Sequence, residues 1–139
     1  MQCGLGWGEA RFAAMGANIR TRPSAFEEAL DIVRRLLAGE TVSSSRRFRI
    51  AAASLALRPA EPVEVWIGAS AAPAIDRAAR LAEGWIASPG PTREEALVQA
   101  DLYRERCAAC GRQPSLSRCG ATSTSASRRP RHKRCWSAR

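Results

Sequence analysis

Apolar positions along the chain fall into helix-spaced runs and short continuous runs. In SAFEEALDIVRRLLA (24–38), Phe26, Leu30, Val33 and Leu37 share one face at helical spacing. Ser24 stands as an N-cap with Glu27 three residues on, a capping box, and Gly39 ends the run. AAPAIDRAARLA (71–82) predicts a second helix with Ile75, Ala79 and Ala82 turned inward. TREEALVQADLYRERCAACG (92–111) predicts a third, with Thr92 and Glu95 as its capping box and Gly111 as its stop. VEVWIG (63–68), set off by Pro59 and Pro62, and GWIAS (84–88) are short, β-branched or aromatic and apolar, and read as buried strands. The stretch 41–62 predicts irregular chain, with a short strand near Phe48–Ile50.

From 63 to 111 the order is therefore strand, helix, strand, helix, the pattern of parallel βα units in an α/β fold. Each strand is followed by a short loop containing Gly or Ser, where such folds place ligands.

Composition narrows the class. The 139 residues allow one modest domain, and a 45% hydrophobic fraction is enough for a core. There is no 18-residue apolar run, so no membrane span is expected. The N-terminus lacks a basic stretch followed by an apolar one, so the expected compartment is the cytoplasm. The formal net charge of +9 points by itself to an anionic partner. Its distribution argues otherwise. Eight of the 22 cations follow Gly111 with no acid among them, which leaves 14 cations against all 13 acids in residues 1–111, a net of +1. The body is nearly neutral. The tail has no helical or strand period and few aliphatics, and is expected to be disordered. The expected division is a body of 1–112 and a basic tail of 113–139. An alternative is a small basic nucleic-acid-binding protein, with Arg128, Arg129, Arg131, Lys133 and Arg134 on phosphates and Trp136 stacking. A solvated tail is the simpler reading, so no nucleic-acid partner is expected.

Three glycine turns carry the candidate chemistry: Gly4-Leu5-Gly6-Trp7-Gly8, Gly68-Ala69-Ser70 and Glu83-Gly84-Trp85. The second ends a strand and opens a helix. It offers free backbone N–H groups, a hydroxyl and the positive end of a helix dipole, which suits a phosphate; the alternative is a tight turn without ligand. Cys107, Cys110, Cys119, His132 and Cys135 have the right chemistry for zinc, but their intervals are not those of a common finger, and no metal is expected. With one histidine, no Ser-His-Asp pattern and no paired carboxylates in an obvious cleft, the acid–base inventory is thin. Such a chain suits a cofactor that does the chemistry itself.

Three segments in this order, GLGWGEARFAAMG, RTRPSAFEEALDIVRRLLAGETV and PVEVWIGASAAPAIDRAARLAEGWIASP, resemble the bacterial luciferase-like monooxygenases over residues 3–112. The resemblance implies an α/β fold, a (β/α)8 TIM barrel present in part, with flavin at the C-terminal ends of the strands. It implies FMN or coenzyme F420 as cofactor, an oxidoreductase or monooxygenase activity on a small-molecule substrate, and homo-oligomers among intact relatives. By the same resemblance the cofactor-binding positions are Gly6 and Trp7, the phosphate turn Gly68, Ala69 and Ser70, and Gly84 and Trp85 near the barrel rim; Arg20 or Arg22 is similar to a family arginine. No catalytic residue is assigned.

The departures are Arg11 for a glutamate, Ala69 for a glycine, Glu83 for an aspartate and Arg46 for a glycine. Ala69 would hinder close phosphate approach if its φ were positive. A barrel of this kind takes roughly 250 residues. The chain is thus expected to begin about a third of the way in, without the first strands, and to be inactive alone. Residues 117–138, back-translated in GC-rich codons, read in another frame as a family-like strand, a Pro-bearing turn and a helix start. On that expectation the tail is an out-of-frame product, and Cys119, His132, Cys135 and Trp136 have no selected role.

Overall fold

The two apolar runs that flank the Ala-rich helix lie side by side in the middle of a sheet. A computed structural model describes residues 1–114 and 116–118. In chain order these form β1 (Gln2–Cys3), α1 (Glu9–Ala14), a 3-10 turn (Ile19–Thr21), α2 (Arg22–Leu37), β2 (Val42–Ser44), β3 (Ile50–Ala53), β4 (Trp66–Ala69), α3 (Ala72–Leu81), β5 (Gly84–Ala87), α4 (Arg93–Ala109) and β6 (Leu116–Arg118). Four strands make one sheet in the order β1-β4-β5-β6, and every neighbouring pair is parallel. β2 and β3 form a separate antiparallel hairpin.

The βα units expected from the sequence are therefore present: β4-α3-β5 and β5-α4-β6 each join adjacent parallel strands through a helix. Their apolar positions build the core. Val65, Ile67, Ala69 and Trp85 from the strands meet Ile75, Ala78, Ala79 and Ala82 of the α3 segment, Tyr103 and Cys107 of α4 and Leu30 of α2. Ile67 and Ile75 are fully buried, and burying a side chain of that size stabilises by roughly 1.5–3 kcal/mol. Ile67 alternates with Trp66 and Gly68, which point to the opposite face of the sheet. The packed helices thus share one face.

Ion pairs join the layers. Arg77, a residue only 9% exposed, donates its Nε–H to Glu27 Oε1 at 2.6 Å and ties α3 to α2. Arg112 donates to the carbonyls of Ala79 and Arg80 at 3.2 and 3.0 Å, satisfying acceptors at the end of α3.

Three expectations change. The helix read as 24–38 starts two residues earlier, with Thr21 in the cap position and Pro23 in its first turn. There is no side-chain cap: the Ser24 hydroxyl donates back to the Thr21 carbonyl, and Glu27 is taken by Arg77. The box at α4 does form, with Thr92 N–H donating to Glu95 Oε2 at 2.8 Å and Glu95 N–H to Thr92 Oγ1 at 3.3 Å. The stretch 41–62 holds a hairpin rather than one short strand, and Val42 in it is fully buried. Glu28 Oε1 fixes its turn by accepting from the N–H groups of Arg47 and Phe48. Finally, Leu116–Arg118 pairs with β5 inside a segment that showed no strand period. The rest of the tail lies outside the described residues, including Cys119, His132 and Cys135 of the residues considered for zinc, the positions considered for nucleic acid and most of the proposed out-of-frame segment.

Candidate functional site

Because the four strands are parallel, the segments leaving β1, β4 and β5 emerge at one edge of the sheet. Cys3 pairs with Ile67 and Ala69 with Ala87, so Gly4 follows the β1 pair beside Gly68, while Ser70 and Ser88 follow the last pair of β4 and β5. A Cβ on Gly4 would stand 3.5 Å from the Gly68 carbonyl oxygen, and one on Gly68 would stand 3.8 Å from the Cys3 carbonyl oxygen. Two backbones meet here with no side chain on either glycine, and Gly4 and Ser70 are exposed.

β1 also answers for the first glycine turn. Only Met1–Cys3 precede Gly4, yet Gln2 and Cys3 pair with β4, so the turn does follow a strand. Gly6 and Gly8 adopt φ of 73° and 89°, the left-handed region that favours glycine. Trp7 between them is 70% exposed, with the Arg11 guanidinium 4.0 Å from its ring centroid. Arg11 thus stacks on Trp7, worth roughly 0.5–1 kcal/mol at an exposed site.

At the second turn, Gly68 and Ala69 belong to β4 itself and Ser70 begins the connection. Ala52 is the only described non-glycine residue with positive φ, so Ala69 carries no left-handed strain and the doubt over its methyl group falls away. The α3 N-cap, Ala71, makes no side-chain cap. Ala74 and Ile75 donate to the Ala71 carbonyl, and Pro73 has no N–H. The amides of Ala71 and Ala72 precede the first helical donors and have no acceptor inside the helix. With the Ser70 hydroxyl they form a small donor set at a helix N-terminus, suited to one anionic group.

Gly84 and Trp85 do not stand at this edge. Gly84 opens β5 opposite Trp66, and a Cβ there would lie 2.6 Å from Trp66 Cδ2, so the indole fills the space a side chain would need. Trp85 is 2% exposed; its ring centroid lies 5.4 Å from that of Tyr103, and its Nε1–H donates to the Ala69 carbonyl at 2.8 Å. Its reach to the site is indirect, through the end of β4. Glu83 is a clamp: its carboxylate accepts from the Val65 N–H at 2.6 Å and from Arg34 at 2.7 Å, joining the start of β4 to α2. A lone Glu in a Glu-Gly-Trp triplet gave no sign of this, because both partners are distant in sequence.

Arg20 lies in the 3-10 turn and Arg22 opens α2. Cys3 packs against the core with its Sγ 3.7 Å from the Trp66 carbonyl, and burial pushes its thiol pKa up. Among the described residues no group of His, Cys, Asp or Glu could hold a metal ion, Cys107 is buried and Cys110 exposed. A cleft of about 580 Å³ lies elsewhere, between α2 and β2, lined by Glu28, Asp31, Arg35, Ser44 and Arg46 among others. Among the described residues no helix is long and apolar enough to cross a membrane.

These features define an α/β protein of parallel βα units in which the segments leaving β1, β4 and β5 gather at the carboxyl edge of the sheet. The chain belongs to the luciferase-like monooxygenase family, whose family model matches residues 1–138. Its fold is similar to that in the crystal structure of the monooxygenase RslO1 from Streptomyces bottropensis, with a TM-score of 0.71 and 22% identity. That match covers 85% of this chain and 38% of the other, so the chain spans well under half the length of this relative.

Proposed function

We propose that the carboxyl edge formed by Gly4, Gly68 and Ser70 is the part of a cofactor site that receives the phosphate-bearing end of FMN or coenzyme F420, in a cytoplasmic oxidoreductase acting on a small molecule. The observation that carries this reading is the side-chain-free meeting of β1 and β4 beside the exposed Ser70 and the uncapped start of α3. The donor set fits the group. The Ala71 and Ala72 amides and the Ser70 hydroxyl would hold one phosphate, and the bare glycine backbones leave room for a flat ring system to approach. Gly6 and Trp7 would border the same edge from the β1 loop.

When bound, a reduced flavin or deazaflavin supplies hydride transfer or oxygen activation. The chain's own residues bind and orient. Trp85 contributes from behind, because its indole N–H holds the Ala69 carbonyl one residue before Ser70.

The test is a titration of purified protein with FMN and with riboflavin, which lacks the phosphate. Saturable FMN binding that exceeds riboflavin binding is expected. Ser70→Ala should weaken FMN about tenfold or more, since a hydrogen bond to a charged group is worth roughly 1.5–3 kcal/mol. Equal binding of both flavins, or an unchanged FMN affinity in Ser70→Ala, overturns the phosphate assignment.

A further inference from the structure

The cleft of about 580 Å³ between α2 and the β2–β3 hairpin has walls of opposite charge. Its volume lies in the range that takes a small molecule. The α2 wall carries Glu27, Glu28 and Asp31. Glu27 is already neutralised, because Arg77 and Arg80 stand 2.6 and 3.7 Å from its Oε1. Glu28 makes no ion pair among the described residues. Its Oε1 accepts from the Arg47 and Phe48 N–H groups and the Ser44 hydroxyl at 3.1, 3.4 and 3.3 Å, while Oε2 accepts nothing there. Asp31 lies three residues on, on the same face of the helix. Its one cationic neighbour, Arg35, is 4.0 Å away and gives its Nε–H to Glu40 at 2.8 Å. On the hairpin wall, Ser45 and Arg46 are exposed; among the described residues the hydroxyl makes no hydrogen bond and the guanidinium no ion pair. Glu28 and Arg46 thus line one cleft without pairing with each other. Ile32, 7% exposed, and Leu81 add an apolar strip between the walls.

We propose that this cleft binds a small zwitterion, a short peptide with both ends free. Its ammonium group would sit between Glu28 Oε2 and Asp31, its carboxylate on the Arg46 guanidinium and the Ser45 hydroxyl, and an aliphatic side chain on Ile32 and Leu81. The cation required is an organic one, because the acids do not converge: among the described residues no group of them could hold a metal ion. The unpaired Arg46 then calls for an anion on the same molecule, and a guanidinium matches a carboxylate in two parallel hydrogen bonds. The two charged walls belong to separate elements, α2 and the hairpin turn. A dipeptide holds its charges further apart than a single amino acid does, each extended residue adding about 3.3–3.6 Å. The cleft shares no residue with the Gly4, Gly68 and Ser70 edge, so this binding does not depend on the cofactor reading.

The experiment is amide NMR of the labelled full chain at low salt, titrated to millimolar levels with three probes: dileucine, its N-acetyl derivative and its C-terminal amide. Dileucine should give saturable shifts at Glu28, Ser45 and Arg46. Acetylation removes the ammonium and amidation the carboxylate, and each should weaken binding about fivefold, the upper range for a solvent-accessible ion pair. Two variants assign the ends. Glu28→Gln keeps an acceptor for the Arg47 and Phe48 N–H groups but loses the charge, and should bind dileucine and its acetyl derivative alike. Arg46→Gln, at an exposed position, should bind dileucine and its amide alike. Unmoved amides at Val42 and Ala53 in both variants show that the hairpin keeps its register. The absence of a saturable shift with dileucine overturns the proposal. So does the absence of either penalty in the wild type, and so does a penalty that persists in the variant meant to remove it.

Discussion

Replacing Gly84 with alanine separates a packing role from a ligand role at a position the sequence associates with cofactor binding. The added Cβ would lie 2.6 Å from both Cδ2 and Cζ3 of Trp66, whereas carbon atoms settle at about 3.5–4.0 Å. The Gly84 backbone is not in the left-handed region, so alanine meets no conformational penalty there. The whole cost is steric. The indole must move, and its Nε1–H is engaged by Glu64 Oε2 at 3.2 Å. Overpacking of this kind costs about 1–3 kcal/mol. A loss of 2 kcal/mol lowers the Tm of a domain of this size by about 7 °C. The assay is thermal and urea unfolding of four proteins: wild type, Gly84→Ala, Trp66→Val and the double variant. With the indole gone the Gly84→Ala cost should largely vanish, giving a coupling energy of about 1–2 kcal/mol, as expected for residues in contact. A Gly84→Ala protein as stable as wild type refutes the steric argument. An equal cost in both backgrounds refutes it as well.

Other outcomes follow from the same geometry. Thr92→Ala should destabilise by about 1 kcal/mol through loss of a formed cap, whereas Ser24→Ala should cost much less because its hydroxyl caps no helix; urea midpoints report both. Glu83→Ala leaves the buried Val65 N–H without an acceptor and should cost about 1–3 kcal/mol by the same measurement; a neutral result would remove Glu83 as a clamp. Cys3 should alkylate more slowly than the exposed Cys110 at mildly alkaline pH. The gap should narrow as pH rises, because burial raises the Cys3 pKa and the thiolate is the reacting form. Peptide mass spectrometry after timed labelling checks this, and faster labelling of Cys3 contradicts it.

The parts of the fold legible in the sequence are those whose stability is local or strongly patterned. α3 shows Ile75, Ala79 and Ala82 inward at helical spacing, and α4 is marked by its ends, Thr92 with Glu95 in a box three residues long and Gly111 as the stop. β4 and β5 stand out because both are short and apolar and each precedes a helix. The start of α2 is not legible, because Ser24 and Glu27 have the spacing of a capping box while the carboxylate is drawn to Arg77, 50 residues away. The β2–β3 hairpin was obscured for a similar reason. Ile50–Ala53 has no alternation of apolar and polar residues, and its turn is fixed by Glu28 from the preceding helix. β1 and β6 have two and three residues, too few for any period, and exist because β4 and β5 offer them ladders.

The candidate site divides along the same line. Gly68 and Ser70 could be read as a strand-to-helix turn, and the structure keeps them at the carboxyl edge. Gly4 joins them only through the β1–β4 register. Gly84 and Trp85 are expected at the site through the family resemblance, which sets Glu83-Gly84-Trp85 near the barrel rim. That turn lies at the amino end of β5, where a glycine admits one indole and a second indole fills the helix-side core.

The most direct test of the account is amide NMR of the labelled protein during FMN addition. The account predicts saturable shifts at Gly4, Gly68, Ser70, Ala71 and Ala72, together with an unshifted Gly84. Shifts confined to the cleft at Ser43–Arg46, or no saturable shift at Ser70, would contradict it.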